Sequence, residues 1–484
     1  MISINTYIKS LFASITLLAA VSCSNTWEDH SSTNDDNLKL TLSERIKNTP
    51  ETSEFGKLLV ETGFDDELSN SKTYTVWAPT NAAIAQVNPD LLSDLASKRL
   101  FVQNHIALTA FSSVTEQDTV TVQMLSNKYL EFKNGTVMAD ANVVTADQYA
   151  ANGLFHIISK ALEPKANIWQ YLKEKTGSNA MSSYLSTLNE FNIYQSDSIA
   201  KAFEFHEIYA DSLTNSYLKN VYNLNNEKNK YTFFLLEDDA YNSEVGKLEP
   251  YLTKSNQDST TTYASYFAVR DFAFHKAVAR EKLSETVFVS RFGVEVDIDE
   301  TKIVEEVQLS NGIVYIMSSL DVPLEKRLLT TIIEGEAPSS FSQGDKRANT
   351  FYREREDLDG VMFFDIMVQN HGVPLFAINY SANNLYSTTY NVYWRAINDI
   401  QTNTFQQSLR IGGGILPDGT IADPIAELGP MDVAPNIYDE IFIGEFTLNE
   451  AGRLDLISLI AANTAVNGNN TLSLDYLKLV PVIK

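Results

Sequence analysis

Two apolar runs in this chain are each written twice, in the same order and at nearly the same separation. Thr73-Tyr-Thr-Val-Trp-Ala78, stopped by Pro79, returns about 157 residues later within Lys230-Tyr-Thr-Phe-Phe-Leu-Leu236. Asn152-Gly153-Leu-Phe-His-Ile-Ile158 returns about 159 residues later as Asn311-Gly312-Ile-Val-Tyr-Ile-Met317. Between the runs, Phe274-His275 stands in the second copy where Asn104-His105 stands in the first. Short apolar runs bounded by turn residues suit buried strands. Three matches in one order, two of them at nearly one offset, indicate duplication of a whole domain, not a short-period solenoid. The copies occupy residues 42–166 and 167–333, and residues 334–484 remain as a third segment.

Each copy mixes helix and strand signals. In the first, Phe55, Leu58 and Leu59 recur at helical spacing ahead of the first strand. Tyr129–Phe132 and Thr136–Ala139 read as strands joined by Asn134-Gly135, a strong hairpin signal. The second copy is longer in its front half, where Asn179–Asn226 reads as added helix. The third segment opens on Ala337-Pro-Ser-Ser-Phe-Ser-Gln-Gly344, a linker by composition. It then turns to period-two alternation. Met362, Phe364, Ile366 and Val368 would share one strand face, and Tyr390, Val392, Trp394 and Ala396 another. Such strands, separated by Gly, Pro, Asn and Asp turns, imply an all-β sandwich of jelly-roll type.

Cys23 is the only cysteine, and it follows a single cation, Lys9, and the apolar run Leu11–Val21. That run is too short to span a bilayer core, which needs about 20 residues, and it has the pattern of an export signal. Residues 1–22 are therefore read as a signal peptide. Ala20-Val21-Ser22-Cys23 resembles the lipobox of bacterial lipoproteins, in which the cysteine sulfur takes a diacylglycerol. The alternative is a cleaved signal with an incidental cysteine. Residues 23–41 then form the lipidated cysteine and a flexible polar tether. The acidic Trp27-Glu28-Asp29 points to the bacterial outer membrane, facing the extracellular side. With Cys23 committed to an anchor, neither disulfides nor thiol catalysis are expected. A formal net charge of −25 argues against nucleic acid as a partner, because phosphate binding needs clustered Lys and Arg.

Tyr74-Thr-Val-Trp-Ala-Pro-Thr-Asn81 resembles the first signature box of the fasciclin (FAS1) family, and Asn152–Ile158 resembles the second. His105 falls where that family has a mid-domain histidine. The second copy departs from the pattern: Leu235-Leu236-Glu237-Asp238 replaces the Ala-Pro-Thr-Asn turn, and Tyr315 replaces the second-box histidine. The resemblance covers about 290 residues. It implies a multidomain α+β chain with two FAS1-like domains, each a β-wedge packed with helices. The sandwich that follows looks like the galactose-binding-like class. The family is mostly adhesive, so the expected function is a non-catalytic surface lipoprotein held to the membrane by its lipid and binding an extracellular protein or glycan. The alternative is a glycan-binding accessory lipoprotein of a polysaccharide-uptake system, with the C-terminal sandwich as carbohydrate-binding module.

Two places stand out as binding candidates. Pro79, Thr80 and Asn81 end a strand, in a loop that the resemblance links to partner recognition; Thr or Asn there can equally cap the next helix. In the third segment, parity sends Trp394 to the core with Val392 and Ala396, while Asn391, Tyr393 and Arg395 face the other way. They form a binding surface or an ordinary solvated face. His105, His156 and His275 could act as metal ligands or a base, but apolar neighbours favour a structural role. Glu237-Asp238-Asp239 and Asp297–Glu300 lack EF-hand spacing, so no metal is expected. Gly412-Gly413-Gly414 reads as a loop. No Gly-x-Ser-x-Gly elbow, His-Glu-x-x-His helix or phosphate loop occurs, and neither catalysis nor a cofactor is expected.

Overall fold

The computed structural model describes residues 36–69, 73–114, 117–189, 215–342, 349–415, 421–463 and 470–484. The expected signal peptide, Cys23 and most of the tether lie outside the described residues, as does part of the expected added helix. The chain divides into two compact units, residues 1–166 and 167–484. No helix among the described residues is long and apolar enough to cross a membrane.

In the first unit, helices α1 (Leu42–Asn48), α2 (Ser53–Thr62) and α3 (Phe64–Glu67) precede strand β1 (Tyr74–Pro79). Thr41 and Glu44 form a reciprocal capping box at the start of α1, which satisfies two backbone donors that the helix cannot. Gly63, at φ 76°, closes α2 in the left-handed conformation that glycine adopts without strain. Helices α4 (Asn81–Ile84) and α5 (Leu95–Gln103) follow. Six strands complete the unit: β2 (Ile106–Ala107), β3 (Thr119–Gln123), β4 (Tyr129–Lys133), β5 (Val137–Met138), β6 (Ala141–Ala150) and β7 (Gly153–Ile158). They join β1 in one sheet of order β2-β1-β7-β6-β5-β4-β3. The hairpin expected at Asn134-Gly135 links β4 to β5, with both residues at positive φ.

The second unit opens with α6 (Ile168–Glu174), α7 (Ala180–Thr187) and α8 (Ser216–Asn220), then β8 (Tyr231–Leu236). Next come α9 (Asp238–Leu248), α10 (Gln257–Val269) and β9 (Ala273–His275). The short strands β10 (Phe288–Val289) and β11 (Glu295–Val296) pair with each other. Strands β12 (Ile303–Leu309) and β13 (Gly312–Met317) complete a sheet of order β12-β13-β8-β9. Directions repeat those of the first unit: β8 runs parallel to β13 and antiparallel to β9, as β1 does to β7 and β2.

Individual bonds repeat as well. The Asn152 side chain accepts from Leu42 N–H at 2.9 Å and donates to the Leu68 carbonyl. Asn311 accepts from Ile168 N–H at 2.8 Å and donates to the Leu224 carbonyl at 2.7 Å. Gly153 and Gly312 sit at φ 149° and 152°, and a Cβ on either would run into the carbonyl of Tyr74 or Tyr231. Thr75 Oγ1 donates to Thr109 O at 2.6 Å and accepts from Phe111 N–H at 2.8 Å. Thr232 does the same with Lys276 O and Val278 N–H, both at 2.9 Å.

The register corrects one expected match. Trp77 N–H bonds to His105 O and Phe234 N–H to Phe272 O, each at 2.9 Å. Phe272, not His275, therefore occupies the place of His105. Loop lengths differ between the copies, and a three-residue offset cannot be seen until the strands pair.

Past α11 (Leu324–Arg327), every regular element is a strand among the described residues. Strands β14 (Thr331–Glu334), β15 (Ser340–Phe341), β16 (Thr350–Glu356), β17 (Met362–Val368), β18 (Ala377–Leu385) and β19 (Thr389–Arg395) come first. Then follow β20 (Phe405–Ile415), β21 (Ile421–Val433), β22 (Ile441–Thr447), β23 (Gly452–Ala461), β24 (Leu472–Leu474) and β25 (Tyr476–Pro481). They form sheets of order β14-β25-β19-β22, β15-β18-β23-β20-β21 and β16-β17-β24. Three local readings change. Ser340 and Phe341, within the stretch read as linker, pair with β18. Gly412, Gly413 and Gly414 are not a loop but lie in β20, at φ 70°, 80° and 104°, beside a register shift against β21. The β17 stripe is core only at Ile366 and Val368; Met362 and Phe364 are about half exposed, because β24 pairs only with the Ile366–Val368 end.

Candidate functional site

Pro79, Thr80 and Asn81 stay together at the end of β1, and each has a packing task. Pro79 is the last buried residue of the strand. Thr80 caps α4 by accepting from Ala83 N–H at 3.2 Å. Asn81 donates to Pro50 O at 2.8 Å and accepts from Glu54 N–H at 2.9 Å, so it ties the start of α2 to the strand end. Asp238 is its counterpart in the second unit and accepts from Ala180 N–H at 2.7 Å. The replaced turn thus keeps the same bond with a different side chain.

The histidines divide in the same way. His105 is fully buried; its Nδ1 donates to Phe101 O at 2.8 Å, and its Nε2 accepts from Leu162 N–H at 2.9 Å. Burial pulls its pKa down to about 4, and the bond to the Phe101 carbonyl only partly opposes this. His156 is also buried; Nε2 donates to Phe111 O at 2.8 Å, and Nδ1 accepts from Asp147 N–H at 3.3 Å. Burial lowers its pKa against the opposing pull of the Phe111 carbonyl and Asp147. Each ring uses one nitrogen as donor and the other as acceptor, so each is held as a neutral tautomer. Tyr315 replaces His156 and donates to Val278 O at 2.9 Å. His275 instead lies against the rings of Tyr222 and Tyr231.

The acidic runs serve the fold. Asp297 pairs with Lys326 at 2.8 Å, and Asp299 accepts from Thr301 N–H at 3.0 Å. Among the described residues, no three His, Cys, Asp or Glu side chains gather as a metal site.

The second candidate set lies on β19, whose burial alternates as expected. Tyr390, Val392 and Trp394 point inward with at most 1% exposure, and Asn391, Tyr393 and Arg395 point outward, partly buried. Strand pairing extends that face across four strands. Ile332, Lys478, Tyr393 and Phe442 are successive cross-strand neighbours on β14, β25, β19 and β22. The Tyr393 and Phe442 rings meet edge-on at 5.4 Å, and Lys478 Nζ lies 5.4 Å over the Tyr393 ring. Phe442 and Ile332 are 47% and 46% exposed, so both ends of the row, which Lys478 interrupts, are open to solvent.

Polar groups border the row. Glu440 bonds Lys478 at 2.9 Å and Tyr476 Oη at 3.1 Å, and Glu445 stands opposite Asn391. Arg395 is committed elsewhere. It donates to Tyr438 O at 2.8 Å, to Asp475 at 2.7 Å and to Asp357 at 2.9 Å, over the Phe363 ring. Burial pushes Asp475 up to about 6 in spite of the Arg395 contact. Arg395 thus frames the face, whereas Asn391 and Tyr393 lie on it. Sequence reasoning missed Phe442, Lys478, Tyr476, Glu440 and Ile332. They belong to strands far apart in the chain, and a register shift between Val392 and Tyr393 hides which β22 residue meets Tyr393.

No curated protein matches the chain. Among solved structures, a FAS1 domain pair from the insect cell adhesion molecule fasciclin I aligns at 16% identity, covering 58% of this chain and 99% of that one, with a TM-score of 0.24. A CBM36 domain of a multidomain xylanase from the hindgut metagenome of Trinervitermes trinervoides aligns at 17% identity over 32% of this chain and 100% of its own, with a TM-score of 0.21. A family 35 carbohydrate binding module from Clostridium thermocellum aligns at 15% identity over 32% and 99%, with a TM-score of 0.20. In the sequence itself, residues 50–164 match the family model of the fasciclin domain, and the chain carries that domain there.

Proposed function

We propose that this chain is a non-catalytic binding lipoprotein of the bacterial outer membrane, anchored through Cys23 and adhesive through its fasciclin units. The observation that carries this reading is the fasciclin domain at residues 50–164. The bonds of Asn311, Gly312 and Thr232, which parallel those of Asn152, Gly153 and Thr75, support a second, divergent FAS1-like unit in the region after residue 167. Anchoring many copies in one membrane lets weak contacts add by avidity. The test is retention of whole cells on extracellular protein or glycan surfaces. Wild-type cells should be held, and cells carrying Cys23→Ser should release the protein into the medium and lose adhesion. Equal retention by the variant would overturn the anchored reading.

A second reading is favoured by one observation, the row Ile332–Lys478–Tyr393–Phe442. We read the C-terminal region as a jelly-roll sandwich whose outer sheet face takes a glycan. The apolar face of a sugar ring would lie on the aromatic pair, and its hydroxyls would meet Asn391, Glu440 and Glu445. A glycan array probed with the full chain should give a selective signal that Tyr393→Ala and Phe442→Ala both weaken. A signal untouched by either variant would place the ligand elsewhere.

A further inference from the structure

We propose that the second α/β region and the C-terminal β region fold and open as one cooperative body, locked by the loop Tyr386-Ser387 between β18 and β19. Ser387 is 3% exposed and makes three bonds across the joint. Its N–H donates to Tyr251 O at 2.8 Å, and its Oγ accepts from Thr253 N–H at 2.9 Å and donates to Pro250 O at 3.1 Å. Tyr386 Oη donates to Arg327 O at 2.9 Å, and its ring packs edge-on to Phe267 at 6.4 Å. Ala451 N–H reaches Thr253 O at 2.9 Å, and Lys484 N–H reaches Tyr251 Oη at 2.7 Å.

Beneath this loop lies a charge-balanced group. Arg327 is 3.1 Å from Glu244 and 4.0 Å from Asp271, and Arg270 is 3.9 Å from Asp271. All four side chains are at most 8% exposed. All four belong to the α/β region, and Tyr386, bonded to the Arg327 carbonyl, packs beside them. Only Leu328, Leu329 and Thr330 connect α11 to β14, which leaves no slack. One buried apolar cluster runs from Ile168 to Leu479 without a break between the regions. A cut after residue 333 would divide β14, strip most of it from β25 and uncover Ser387, so the C-terminal segment is not a separable module.

Native-state hydrogen exchange of the full chain tests this. Peptides spanning β8 and peptides spanning β19 and β25 should report the same protection in the wild type. Tyr386→Ala should speed exchange in both sets by roughly a hundredfold, as removal of a large buried side chain does. The milder Ser387→Ala should speed both by about tenfold through its orphaned partners. A rise confined to one set, or unequal protection in the wild type, would overturn the proposal.

Discussion

The two α/β copies share a hydrogen-bonded frame but fill it with different chemistry. Asn152, Gly153 and Thr75 recur as Asn311, Gly312 and Thr232, with matching partners and nearly equal distances. These residues bond to backbone, and the backbone geometry of the repeat demands them. At two further positions the first copy has His105 and His156, and the second has Phe272 and Tyr315. Tyr315 reproduces one bond with a hydroxyl: burial and then Glu306 push its phenol up, so it stays neutral. Phe272 makes no side-chain bond and fills the space. The Asn, Gly and Thr frame positions survive divergence, while both backbone bonds of His105 and one of the two made by His156 are given up in the second copy. The change removes an acid-sensitive element from one copy only.

The largest effect should come from breaking the frame. Gly153→Ala and Gly312→Ala each force a Cβ onto a carbonyl at an unfavourable φ, and each should cost about 4 kcal/mol or more. Denaturant unfolding would measure this, and a large loss at one site only would break the equivalence.

The next effect is the response to acid. The folded-state pKa of His105 lies below its unfolded value, so its neutral form contributes stability that is fully present above about pH 6.5 and lost as pH falls toward 4. The full loss approaches about 3 kcal/mol, from roughly 1.4 kcal/mol per unit. Exchange protection of β1 and β7 should fall between pH 7 and pH 4.5, and His105→Phe should flatten that fall. A slope unchanged in the variant would assign the acid response to other groups.

At pH 7, His105→Phe should itself cost about 1–3 kcal/mol by orphaning Leu162 N–H and Phe101 O. Tyr315→Phe loses only the bond to Val278 O and should cost about 1 kcal/mol, with no dependence on pH in the acid range.

The smallest effect has the opposite sign. Asp475 has a folded-state pKa of about 6, above its unfolded value, so its contribution is present at low pH and lost as pH rises through 6. Melting of Asp475→Asn against wild type should therefore favour the variant more at pH 7 than at pH 4.5. A constant difference would rule this out.

Some of this was legible from residues alone. The strand runs, the Asn134-Gly135 hairpin and the parity of β19 all follow from local spacing, because side chains alternate strictly along a strand. The part of the candidate face on β19 was visible for that reason. Its remaining residues come from β14, β22 and β25, where neighbours are chosen by pairing and a register shift. The His275 match failed on loop length, and Arg395 looked available because its partners Asp357 and Asp475 are remote in sequence.

By itself, then, the amino-acid order determined a repeated α/β pattern, an alternating β segment and the signature of a fasciclin domain. Those signals reside in nearest neighbours and short periods, which physics reads locally. Only the tertiary structure decided that Phe272 stands in for His105, that Ser387 fastens two regions together, and that Tyr393 meets Phe442. Each of these depends on which distant strands pair and in what register, and that choice is made by the energy of the assembled core.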